Sequence, residues 1–199
     1  MKGFLLGVVV TLACTALFLY IYFAQGFAPV ATSSPPWPFE EKLARGSLDA
    51  RARKEAPKTA PIEPSEENLL AGAHEYMEHC AMCHGVPDKP APFIARGEYP
   101  RPPQVFHQDE RLTGDPPGET YWKIINGIRL TGMPAFDKHL SPTEAWQIAL
   151  LLANADKLPA SVTAALSEPA EPASHGEQAE AQHTQAHEHN HSHNQKNSH

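Results

Sequence analysis

The sequence predicts an all-α domain of roughly a hundred residues between an apolar N-terminal helix and a polar C-terminal tail. Three observations predict it. From Phe4 to Ala24 the chain carries no charge over about 21 residues, enough to cross a bilayer as a helix. Between 63 and 158 the start and stop signals are those of helices, and no stretch alternates apolar with polar residues as a half-buried strand would. From 159 to 199 there is almost no large apolar residue to offset the entropy of ordering, so this tail is expected to be disordered.

Lys2 is the only charge before the apolar run, and none follows until Glu40. That charge pattern favours an N-terminus inside and the remainder exported. The run exceeds a usual signal-peptide core, so residues 1–25 are expected to stay as a single-pass anchor; cleavage after Gly26 is the alternative. Residues 26–62 form a proline-rich linker. Within it, 38–55 place Phe39, Leu43 and Leu48 among charges at a loosely helical spacing, which predicts a short helix ending before Pro57. It either docks on the domain or serves as a solvated spacer. If flexible throughout, the linker has a reach of about 30 Å.

The domain is expected over 63–158. Ser65 is an N-cap, with Glu66 and Glu67 suited to the positive end of a helix that should run through His84. A long proline-rich loop follows, and a second helix starts near Gly118 and stops at Gly127. Ser141, Pro142 and Glu144 form a capping box with proline at the first helical position, and Pro159 closes the domain. The net charge of −7 gives no footprint for nucleic acid. Three cysteines are too few for a secreted disulfide scaffold, and Cys14 lies inside the apolar run.

Residues 79–85 read "HCAMCHG". On a helix the offsets between Cys80, Cys83 and His84 put all three on one face. A zinc site needs a fourth ligand, but there is no fourth cysteine and His74, His79, His107 and His139 show no paired spacing. A thioredoxin-like C-x-x-C needs βαβ patterning, which is absent. C-x-x-C-H is the attachment signature of c-type haem: two thiols bond the vinyl groups and the adjacent imidazole reaches the iron. One covalent haem c is therefore expected, with Cys80 and Cys83 as thioether donors and His84 as an axial ligand. A second axial ligand leaves Met133, since Met77 and Met82 lie on the attachment segment. In "LTGMPAF", Gly132 permits close backbone approach and Pro134 stiffens the loop.

These residues resemble the class I cytochromes c over about 63–158. The resemblance rests on "CAMCHG", on "GMPAF", and on Gly72 and Tyr76, a glycine and an aromatic eight and four residues before the first cysteine. It implies an all-α fold wrapped round one haem, His84 proximal and Met133 distal, and single-electron transfer rather than catalysis. It also implies that Gly72 lets the first helix cross the last closely while Trp146 fills the seam. A proline carbonyl, from Pro90 or Pro92, would hold the proximal imidazole, and Arg129, Tyr121 and Trp122 are candidate propionate neighbours or core aromatics. The anchor, the charged helix and "NGIRLTGMPAF" together resemble membrane-tethered bacterial monohaem cytochromes.

The expectation that follows is a single-pass protein of the bacterial inner membrane with its haem domain in the periplasm. It would shuttle electrons between a quinol-oxidising complex and a terminal oxidase or reductase. The alternatives are a haem subunit of a larger oxidoreductase and a redox or gas sensor. In the tail, His187, His189, His191 and His193 recur at every second position, a composition that chelates Ni, Zn or Cu, or simply solubilises the chain.

Overall fold

The computed structural model describes residues 1–167. Among them are eight helices and no strand: α1 (Lys2–Ala24), α2 (Glu40–Glu55), α3 (Glu66–His79), α4 (Ala81–His84), α5 (Phe93–Gly97), α6 (Pro117–Asn126), α7 (Pro142–Ala153) and α8 (Ala160–Ala165). His187, His189, His191 and His193 lie outside the described residues.

α1 is apolar on every side and holds no buried residue; its mean hydropathy of 2.5 suits a membrane span or a signal sequence. The core is built where α3 crosses α7. Leu69, Ala73 and Tyr76 on one helix, and Ala145, Trp146, Ile148, Ala149 and Leu152 on the other, belong to a single buried cluster. Gly72 sets the crossing distance, because a Cβ there would sit 2.4 Å from the Gln147 carbonyl oxygen. Trp146 turns towards α6, where its ring stacks on Tyr121 at 4.4 Å and 13°.

Helix ends follow their local chemistry. Ser65 Oγ accepts from the Asn68 N–H at 3.3 Å and caps α3. The capping box of α7 closes in both directions: the Glu144 N–H donates to Ser141 Oγ at 3.3 Å, and the Ser141 N–H to Glu144 Oε2 at 2.7 Å. Gly127, at φ +62°, stops α6.

Three departures from expectation have physical reasons, and one alternative left open by the sequence is decided. The helix expected through His84 kinks at Cys80 (φ −118°, ψ −35°), where Cys83 N–H and His84 N–H both bond the Cys80 carbonyl. The expected boundary at 158 falls short, since α8 folds back on α3 and buries Val162 and Leu166 completely. Two well-spaced apolar residues suffice when the core already offers a face to cover. The proline-rich loop contains a short helix, α5. Finally, α2 docks rather than standing in solvent. Its C-terminal half buries Ala52, Lys123 Nζ lies 3.6 Å from Asp49 Oδ1, and a Cβ at Gly118 would meet the Pro57 carbonyl oxygen at 2.0 Å. A glycine at the start of α6 is thus what lets the chain after α2 pass against it.

Candidate functional site

Cys80, Cys83, His84 and Met133 all line one cleft. Cys80 sits at the junction of α3 and α4, Cys83 and His84 lie on α4, and two side chains hold the turn that bears them. The buried Tyr76 hydroxyl donates to the Gly85 carbonyl at 2.7 Å, and Gln104 Nε2 donates to the Cys83 carbonyl at 3.1 Å. Met133 comes from the loop that follows α6. The segment 134–135 crosses the end of α6 so closely that a Cβ at Gly127 would lie 2.6 Å from Ala135 N. Ile128 N–H donates to the Met133 carbonyl at 3.1 Å, and Met133 N–H to Thr131 Oγ1 at 3.1 Å. The loop therefore has little freedom around Met133.

The walls are mainly apolar, with Ile124, Ile128, Pro100, Pro102, Pro134 and Phe136 beside the four candidate residues. Empty space within the cleft is about 690 Å³, solvent at its mouth included. The His84 ring is held from behind: Nδ1–H donates to the Pro103 carbonyl at 2.9 Å. A carbonyl can only accept, so the bond places the proton on Nδ1 and leaves the Nε2 lone pair for a metal. This corrects the expectation of Pro90 or Pro92; the loop runs past both before Pro103 returns to the ring. Nothing local distinguishes Pro103 from the other prolines of the loop, which is why spacing could not find it.

Burial lowers the His84 pKa below its ordinary value, opposed by the bond to Pro103, and so favours the neutral imidazole. Burial first, then the neighbouring Cys83 and Glu75, push the Cys80 thiol up to about 12. Cys83 is raised too, by burial and by Glu98, whose Oε1 lies 3.9 Å from its Sγ. The two thiols are unpaired with each other. A neutral imidazole, two free thiols and a thioether around an apolar cleft fit a covalently attached haem. Among the described residues the one three-residue grouping with metal-ligand spacing is Glu75, Glu78 and His79, which contains no cysteine.

The candidate propionate neighbours are placed elsewhere. Tyr121 is committed to Trp146, Arg129 is exposed, and neither they nor Trp122 line the cleft. Its polar members are instead Glu98, Arg101 and Thr131, together with His79. Sequence reasoning missed Glu98, Arg101, Pro103 and Gln104. The only signal was a charged, glutamine-ended proline run, "EYPRPPQ", with no partner visible along the chain.

Residues 67–152 match the family described as cytochrome c oxidase, cbb3-type, subunit III. The chain is also similar to the quinohemoprotein alcohol dehydrogenase ADH IIB of Pseudomonas putida, at 27% identity over 149 residues, covering 66% of this chain and 20% of that one. It thus spans about a fifth of that relative's length. Among solved structures, a reducing HAO-like protein complex of Kuenenia stuttgartiensis aligns at 26% identity with a TM-score of 0.43, over 50% of this chain and 48% of the other. That superposition is too loose to bear on mechanism.

Proposed function

We propose that residues 67–152 form a class I cytochrome c domain, and that the chain carries single electrons through one covalent haem c held by Cys80, Cys83, His84 and Met133; the family match and the quinohemoprotein relative support this reading. The observation that carries this reading is the convergence of those four side chains on one apolar cleft. Cys80 and Cys83 supply the thioether sulfurs, His84 Nε2 the proximal bond and Met133 Sδ the distal one. The bound group contributes an iron that changes by one electron.

The chain's own residues set how that electron is held. Pro103 fixes the imidazole's tautomer and orientation through Nδ1–H. The soft thioether of Met133 favours ferrous iron, and apolar walls disfavour the additional charge of the ferric form. Were His84 and Met133 both to hold the iron, no position would be left for a substrate, which favours a carrier or a non-catalytic subunit.

α1, retained as a single-pass anchor, would hold the domain on the exported face of the inner membrane, between a quinol-oxidising complex and a terminal oxidase or reductase. Between 65 and 158 there are 13 acidic against 8 basic residues, so a basic or apolar partner face is favoured. A second reading, a haem subunit fixed within a larger oxidoreductase, is favoured by the docking of α2. Only the residues between α1 and α2 remain as free tether, and their reach is about 20 Å rather than 30 Å. Stable co-purification with a catalytic partner separates subunit from shuttle. In the tail, metal chelation by His187, His189, His191 and His193 rests on composition alone; equilibrium dialysis with and without residues 175–199 tests it.

The deciding experiment is spectroscopy of the chain expressed with a cytochrome c maturation system. The expected result is covalent haem, sharp reduced bands and the weak far-red methionine–ferric band. Met133→Ala should keep the covalent haem, lose that band and bind carbon monoxide. A wild type that already binds carbon monoxide sinks the Met133 assignment.

A further inference from the structure

We propose that Gln104 is a positioning residue for His84, tying the backbone that carries the histidine to the backbone that holds its ring. This rests on His84 being the proximal ligand.

Gln104 is 1% exposed, and it and Thr120 are the buried polar residues among those described. A buried amide is costly unless its hydrogens are satisfied. Both Nε2 hydrogens of Gln104 are used: one goes to the Cys83 carbonyl and one to the Pro102 carbonyl, each at 3.1 Å. The first bond grips the attachment turn at the residue before His84. The second grips the segment whose next carbonyl, that of Pro103, accepts from His84 Nδ1–H.

Pro102 and Pro103 have no N–H of their own, so this segment depends on its ends for anchorage. Glu110 supplies it: one carboxylate oxygen accepts the Gln104 backbone N–H and the other pairs with the Arg101 guanidinium. The Gln104 side chain needs a glycine at 85 to reach its place. Its Oε1 would lie 2.6 Å from a Cβ there, and Gly85 already sits at φ +71°. Oε1 has no hydrogen-bond partner among the described residues, so the residue is held by its donors even with its acceptor idle.

A firm Nδ1–H···O=C bond raises the basicity of the imidazole and so stabilises ferric iron. Loosening the 101–104 segment weakens that bond and favours the ferrous form.

The test uses the full-length haem-loaded protein, with two readouts: the midpoint potential, and solvent exchange of the His84 Nδ1 proton in the reduced state by NMR. Gln104→Leu should shift the ferric–ferrous equilibrium towards ferrous iron by about threefold to tenfold, tenfold being about 59 mV for one electron. It should also speed Nδ1–H exchange. Glu110→Gln, at the outer end of the same network, should move both readouts in the same direction by less. A lowered Tm with potential and exchange unchanged in both variants overturns the proposal and leaves Gln104 as ordinary structure. If Gln104→Leu takes up no haem, Glu110→Gln decides alone. A wild type without histidine-ligated low-spin haem overturns the proximal reading itself, and that result is visible before any substitution is made.

Discussion

At Gly72 the absence of a side chain decides how near two helices come. The Gln147 carbonyl occupies the space a methyl group would need, and a backbone group cannot swing aside as a flexible side chain can. Gly72→Ala is expected to cost about 1–3 kcal/mol, read as a lower midpoint in denaturant. Tyr76 fails differently. Its hydroxyl serves the Gly85 carbonyl from inside the core, and its ring meets Phe106 edge-on at 5.2 Å. Tyr76→Phe keeps the ring but leaves that carbonyl unserved, at a cost of about 1–3 kcal/mol. Both residues matched a family pattern, which implied the close crossing at Gly72 but not the carbonyl that the Tyr76 hydroxyl serves. The reason is the neighbour, and neither neighbour is close in sequence.

Among the elements, α7 has the clearest terminus. Ser141→Ala should destabilise the fold by about 1 kcal/mol. Glu144 is held below the usual carboxylate range, first by the Ser141 backbone N–H. A carboxyl depressed in the folded state contributes stability above its unfolded pKa and loses it as pH falls through the folded value. The Tm advantage of wild type over Glu144→Gln should therefore be present near neutral pH and narrow below about pH 4.5. Repulsion between Glu144 and Glu75, a smaller cause of Glu75's raised value than burial, works against the narrowing and limits its extent. For α2 the sensitive position lies on its partner. Gly118→Ala pushes on the Pro57 carbonyl, and the expected outcome is faster amide exchange at Ala56, whose N–H bonds the Ala52 carbonyl, with the α3–α7 core still protected.

Across the whole molecule, segments on both sides of the expected domain pack against it among the described residues. α8 belongs to the core, and Leu166, fully buried next to the end of the described chain, is expected to cost about 2–5 kcal/mol on substitution by alanine, measured by denaturant unfolding. A loss confined to local fraying would leave that midpoint unmoved. At the other end, docking of α2 turns half of an apparent tether into part of the domain. That shortens the free span to α1 and limits how far the cleft travels from a membrane carrying α1.

By itself the sequence determined the helical class, the apolar run of α1, the caps of α3 and α7, the stop at Gly127 and the identity of the four cleft residues. These rest on local spacing: caps act within one turn, and C-x-x-C-H brings its chemistry together within five residues. Only the tertiary structure decided that Pro103 accepts from His84, that Gln104 and Glu110 bond the segment on either side of Pro103, that Glu98 and Arg101 rather than Arg129 line the cleft, and that α2 and α8 join the body. Those contacts join residues far apart along the chain, through carbonyls and faces that any residue presents. A backbone carbonyl has no signature in sequence, and a short helix with two apolar residues looks solvated until the surface that receives it is in place.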